Sequence, residues 1–227
     1  MSKEIIIISG IEFDLNLAVK RLKQDLRDDW FPDLFEFKDI LDSKEYIKSI
    51  FKKFEKGDQI YEPEKALHFD IPKPGFTIRY STETNLIDRI IYQGCIDILA
   101  PYLDQIHSAS IYSHRVNKER SNKYLFKYAV EEWNKFLIDA SLELEKEDNE
   151  VLLITDLSNY YESISTLDLH HTLKFQIENL EISNEIKSNL LKVIELIKKL
   201  LQSWCEPHTK EEFHKIETHH HFYRTSF

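Results

Sequence analysis

The run Val151-Leu152-Leu153-Ile154-Thr155-Asp156-Leu157-Ser158-Asn159-Tyr160-Tyr161-Glu162-Ser163-Ile164 carries the decision about fold. Its first part is a short continuous apolar stretch, too brief for a buried helix and rich in strand formers. It predicts a central strand covered on both faces and ending in a carboxylate. A carboxylate at the mouth of such a strand is poorly solvated and needs a cation or hydrogen bonds to compensate it. Two readings of Asp156 follow, a residue closing a turn after the strand or a ligand of a divalent metal. Tyr160 reads on pattern as a core aromatic.

Outward from this strand the text is mostly helical. Leu15, Val19, Leu22 and Leu26 recur at helical spacing over residues 15–29, as do Ile47, Ile50, Phe51 and Phe54 over 43–56. Between about 66 and 81 the period changes to two, with Leu67, Phe69 and Ile71, then Pro72, Pro74 and Gly75, then Phe76, Ile78 and Tyr80. That predicts a hairpin. Thr84 is placed to cap a helix running to about 106 and interrupted near Pro101. A further helix is expected from 119 to about 145, carrying Leu125, Phe126, Val130, Trp133, Phe136 and Leu137. Ser165 and Thr166 can start another, and Ser183 opens a strongly periodic one through Ile186, Leu190, Val193, Ile197 and Leu200.

Composition sets the outer limits. The 227 residues are 42% hydrophobic with 14 Phe, 11 Tyr and 3 Trp but only 4 Gly, which excludes collagen-like and low-complexity chains. The net charge of −10 argues against a protein that binds nucleic acid through overall charge. Locally the balance reverses: residues 112–128 hold Arg115, Lys118, Arg120, Lys123 and Lys127 against Glu119 alone. Such a patch suits a triphosphate or a template backbone, and equally a solvated helix face. Cys95 and Cys205 provide no disulfide framework and fit a reducing compartment. With no apolar run near 18 residues and no signal pattern before Ile5–Ile8, no membrane partner is expected and a cytoplasmic location is.

Asp156 to Ile164 resembles the first catalytic-carboxylate motif of reverse transcriptases, an apolar strand followed by Asp, an apolar residue, two variable residues, an aromatic pair and a downstream Ile. Phe76 to Gln93 resembles the fingers hairpin and following helix of the same family, with Arg79, Asp88, Arg89 and Gln93. Tyr112, Ser113, His114 and Arg115 resemble the next motif, before a helix bearing Tyr124, Phe126 and Trp133. The likeness spans roughly residues 65–200 and is nearest to the bacterial defence-associated or abortive-infection members. It implies an α/β chain, mostly helical, with a fingers β-hairpin and the start of a palm sheet. The implied organisation is an N-terminal helical extension over 1–64, fingers over 65–145 and the first part of the palm over 146–202.

The same resemblance implies RNA-directed DNA synthesis, in which a primer 3′-hydroxyl attacks the α-phosphorus of a deoxynucleoside triphosphate in line, assisted by two Mg²⁺ ions. Asp156 would bind both metals, and the Leu157 carbonyl would complete one shell. Tyr161 would be the steric gate beneath the incoming sugar, and Arg79 and Arg115 would meet the triphosphate; the ordinary reading of either arginine is a surface ion pair. The implied partners are an RNA template, a DNA or other primer strand and deoxynucleoside triphosphates, with a role in phage defence. The alternative is a non-catalytic nucleic-acid-binding or regulatory module that keeps the fingers fold.

Magnesium takes an octahedral oxygen shell, so Asp156 alone cannot build the site. The later paired Asp and the Gly-x-Pro-Gln-Gly segment of the family are missing. Residues 203–227 read as different text, with five of the ten histidines near the end. Taking the third base of each codon with the first two of the next, Glu211/Glu212 gives Arg or Gly, Glu212/Phe213 gives Ile or Val, Phe213/His214 gives Pro or Ser, and His214/Lys215 gives Gln or a stop. Gly-Ile-Pro-Gln is therefore permitted, and the same frame continues compatibly with the family's Leu-Leu-x-Asn spacing. A one-nucleotide shift between about Ser203 and Thr209 accounts for this, against an ordinary disordered terminus or a histidine metal cluster. On this reading the 227 residues alone are inactive. The helix opened by Ser183 lacks the palm surface it would pack against, and its uncovered apolar stripe favours oligomerisation.

Overall fold

A computed structural model describes residues 4–28, 37–55, 60–73, 77–146, 151, 153–155, 157 and 164–205, with the backbone alone for 73 and 77–80. Among these residues the fold is mixed α/β and mostly helical, with two small antiparallel hairpins. The chain opens with β1 (Ile5–Ile8) and β2 (Ile11–Asp14), in register Ile5 to Asp14 and Ile8 to Ile11. The turn between them places Ser9 at φ 53° and Gly10 at φ 74°, the left-handed pair that a two-residue hairpin requires. Alternation then buries Ile6, Ile8, Ile11 and Phe13 on one face and leaves Ile5 and Ile7 half exposed.

Asp14 ends β2 and caps α1 (Leu15–Asp28), its Oδ1 accepting from Leu17 N–H at 3.1 Å. Helices α2 (Phe37–Asp42) and α3 (Lys44–Glu55) follow and bury Leu41, Ile47 and Phe51. The predicted hairpin is present as β3 (Leu67–Lys73) and β4 (Thr77–Glu83). It leaves Leu67 62% and Phe69 44% exposed.

Helix α4 (Leu86–Asp104) is the central post. Asn85, rather than Thr84, supplies its cap through Oδ1 to Ile87 N–H at 2.7 Å, and Pro101 is carried without a break. Gly94 sits where β2 crosses α4: a Cβ there would lie 2.5 Å from Phe13 Cδ1, so the bare backbone makes room for that ring.

Downstream come α5 (Ala129–Leu144), α6 (Thr166–Glu178) and α7 (Asn184–Cys205). Ser165 and Ser183 cap α6 and α7 as expected, with their hydroxyls accepting from Asp168 and Ile186 N–H. The helix expected from 119 begins only at Ala129. Before it, Asn117 Nδ2 donates to the Tyr124 and Phe126 carbonyls and Asn122 Oδ1 accepts from Tyr124 N–H. Those side-chain bonds satisfy the backbone in a loop and compete with a helix.

Two further expectations are corrected. Helix α7 does not lack a packing surface: Leu190, Val193, Ile194, Ile197 and Leu200 are each at most 3% exposed. They join a single core with β1, β2, α1, α3, α4 and Ile177 of α6. The N-terminal extension and the last helix are therefore one packing unit. Second, no strand runs through the described residues of 151–157. Val151, Leu153 and Ile154 are 82–85% exposed, because no second strand is present among the described residues to pair with them.

Candidate nucleotide-handling surface

Of the residues assigned by sequence, Asp156 and Tyr161, with Tyr160 beside them, lie outside the described residues. Leu157 is 69% exposed. Arg79 sits in β4 opposite Ile71, three residues beyond the turn positions, and its side chain is outside the described part.

Arg115 is placed, and it is engaged. Its Nη1 donates to the carbonyls of Ser108 and Ile111 at 3.0 and 3.3 Å, and its Nε lies 2.8 Å from Asp104 Oδ1. It pins the turn after α4 to the start of the loop. These three interactions use Nη1 and Nε of the guanidinium. The neighbouring motif residues also have partners within the fold. Tyr112 Oη donates to Asp139 Oδ2 at 2.7 Å and its ring meets Phe136 edge-on at 5.6 Å. His114 adopts φ 55° and packs edge-on against Phe126.

The helix positions resolve into three different environments. Arg89 pairs with Glu83 at 3.1 Å and Gln93 donates to Asp97 at 2.6 Å. Asp88 is 1% exposed and accepts from Tyr61 Oη at 2.7 Å, Glu64 N–H at 2.9 Å and Trp204 Nε1 at 3.3 Å. Burial raises its pKa above the usual carboxylate value against the pull of those three donors. Ser203 Oγ donates to the Glu64 carbonyl at 2.8 Å. Asp88 is thus a clasp joining α4, α7 and the 61–64 segment.

A buried polar site that the sequence did not announce centres on Arg21. Arg21 of α1, only 4% exposed, donates through Nη1 to Asp97 Oδ1 at 2.6 Å, through Nη2 to the Arg120 carbonyl at 2.8 Å and through Nε to the Asn122 carbonyl at 3.2 Å. Lys20 reaches the Ser121 carbonyl at 2.9 Å. The loop that carries the predicted basic patch is therefore fastened to α1 by cations of α1, and its own Lys118, Arg120 and Lys123 remain exposed outside. A cavity of about 840 Å³ opens between α1, α4 and this loop, lined by Asp14, Arg21, Asp97, Tyr102 and Asn117 among others. Burial raises the Asp97 pKa despite Arg21. Arg21 was missed because its spacing in an amphipathic helix matches a surface charge; a basic residue three positions after Ala18 on the buried side was the available signal.

Among the described residues no group of three or more His, Cys, Asp or Glu is placed to hold a metal. Cys95 is buried and free, its thiol pKa pushed up by burial. No described helix is long and apolar enough to cross a membrane. No protein-family model, no curated protein and no solved structure matches this chain.

Proposed function

We propose that this chain carries the fingers and the first palm segment of a metal-dependent, RNA-directed DNA polymerase of the reverse-transcriptase type, and that the 227 residues alone do not catalyse. The supporting observation is where apolar surface is left uncovered. Helix α5 has no buried residue, with Trp133 58%, Ile138 60% and Leu142 56% exposed, and beyond it Val151, Leu153 and Ile154 are exposed. These are the segments that would face the rest of a palm sheet. The order hairpin, helix, Arg115 turn, helix, apolar run agrees with that reading.

The out-of-frame reading of residues after 203 is part of the proposal. Ser203 and Trp204 make specific contacts with Glu64, Asp88 and Tyr92, which favours a shift after Trp204. Primer extension on an RNA template with Mg²⁺ tests it, comparing this chain with a version restored to the alternative frame and with Asp156→Asn in that version. Extension by the restored chain, abolished by the substitution, is expected. Turnover by the 227-residue chain refutes its inactivity. No turnover by the restored chain favours the second reading, a non-catalytic nucleic-acid-binding module, which the exposed Lys118, Arg120 and Lys123 support.

A further inference from the structure

A second site lies in the N-terminal layer, on the outer side of α1. A pocket of about 230 Å³ has an aliphatic floor of Leu15, Val19, Leu41 and Ile47, and its rim is formed by Lys20, Lys23, Arg27, Lys44, Lys48 and Lys123. Three carboxylates stand near these six cations. Asp42 pairs with Lys23 at 2.6 Å, and Glu4 and Glu45 lie 3.1 and 3.7 Å from Lys48. The rim keeps a surplus of three positive charges on a chain of net charge −10. On an acidic protein such a concentration gives an anion a local minimum that the overall field opposes elsewhere.

We propose that this pocket binds a single-chain anionic amphiphile, an aliphatic phosphate or carboxylate, with its head among the lysines and its tail on the floor. The floor selects the tail. None of the described lining residues is aromatic, so they offer a nucleobase no ring to stack on. Its two amides, Asn16 and Gln24, are engaged in interactions of their own and are not held open to read a base edge. Size selects the length: an apolar cavity of about 150 Å³ takes benzene, so one half as large again takes a body of roughly nine carbons. The exposed Arg27 and Lys44 stand on two different helices of the rim, so a head group can be held from both sides.

Isothermal titration calorimetry of the full chain with octyl phosphate at about 0.15 M salt tests this. The expected result is saturable one-to-one binding that weakens with added salt and falls about tenfold when the tail is shortened to hexyl, from two methylenes left out of the pocket. Arg27→Glu and Lys44→Glu, both at exposed positions, should each weaken it about fivefold, the upper range for an exposed ion pair. Val19→Phe should fill the pocket and remove binding while the unfolding midpoint stays near that of the parent; if it does not fold, the two charge reversals carry the test. Equal affinity for octyl glucoside, equal affinity for inorganic phosphate, or full binding by folded Val19→Phe each overturns the proposal. So does binding confined to vesicles of phosphatidylcholine with phosphatidylglycerol, or no saturable heat. The polymerase proposal is untouched by any of these results.

Discussion

Replacing Asp88 separates the worth of its hydrogen bonds from the cost of its charge. Asp88→Ala removes the acceptor for three donors, the buried Tyr61 hydroxyl, the Glu64 N–H and the Trp204 indole N–H. A buried donor left unpaired costs about 1–3 kcal/mol. Tyr61 is 7% exposed and counts in full, whereas the other two are partly buried and count near the lower limit. The loss should be about 3–5 kcal/mol, or a fall in melting temperature of roughly 6–20 °C for a chain of this size.

Asp88→Asn is the milder change. Its carbonyl can take the place of the oxygen facing Glu64 and Trp204, whereas its amide can only donate to Tyr61 Oη, so the Tyr61 O–H alone loses its acceptor. The loss at neutral pH should be about 1–3 kcal/mol, below that of Ala. Because burial raises the Asp88 pKa in the folded state, the folded parent binds this proton more tightly than the unfolded chain. Stability from this group is therefore greatest below the unfolded carboxylate value and is lost as pH rises through the folded value. Asp97 has a shift of the same sign and adds to the slope, so the difference between parent and Asp88→Asn isolates Asp88. Urea unfolding followed by circular dichroism from about pH 3.5 to about pH 7, which spans the usual range of folded carboxylates, measures it. If Asn proves as damaging as Ala, the charge itself holds the clasp and the reasoning fails.

Arg21→Met leaves Asp97 buried beside an apolar group and releases the Arg120 and Asn122 carbonyls, and should cost about 3–5 kcal/mol; adding Asp97→Leu should recover much of it, and a double-mutant cycle in urea checks this. Leu200→Ala, at a side chain with no exposure, should cost about 2–5 kcal/mol in the same assay, whereas a loss below about 0.5 kcal/mol, the range of surface positions, would mean that α7 is not packed as described.

Periodicity carried most of the helical layer. Leu15 to Leu26, Ile47 to Phe54, Leu86 to Leu99 and Leu190 to Leu200 keep one apolar face through several turns, and the burial follows those faces. The β3–β4 hairpin was equally legible because alternation and turn residues coincide. The β1–β2 hairpin was not, since four consecutive isoleucines hide the alternation; the Ser9-Gly10 dipeptide between two apolar runs was the usable sign. The 119–128 stretch misled because apolar spacing near Leu125 and Phe126 outweighed Asn117 and Asn122, whose short amides claim the backbone first. For the candidate site, sequence could name charged residues but not their employment. Arg115 spends Nη1 on carbonyls four and seven residues back, whereas Arg21 spends its donors on carbonyls about a hundred residues ahead, a pairing that only tertiary proximity creates.

The joining of Ile6 to Leu99 with Ile177 to Leu200 in one core also sets an order of events during synthesis. The first segment leaves the ribosome about a hundred residues before α7 is complete, an interval of roughly 5–20 s at ordinary translation speed. Throughout it, the α4 flank that α7 will cover stays wet and adhesive. A nascent chain of this design has reason to be met by a holding chaperone, and a slowed codon stretch before Asn184 would lengthen its most vulnerable moment.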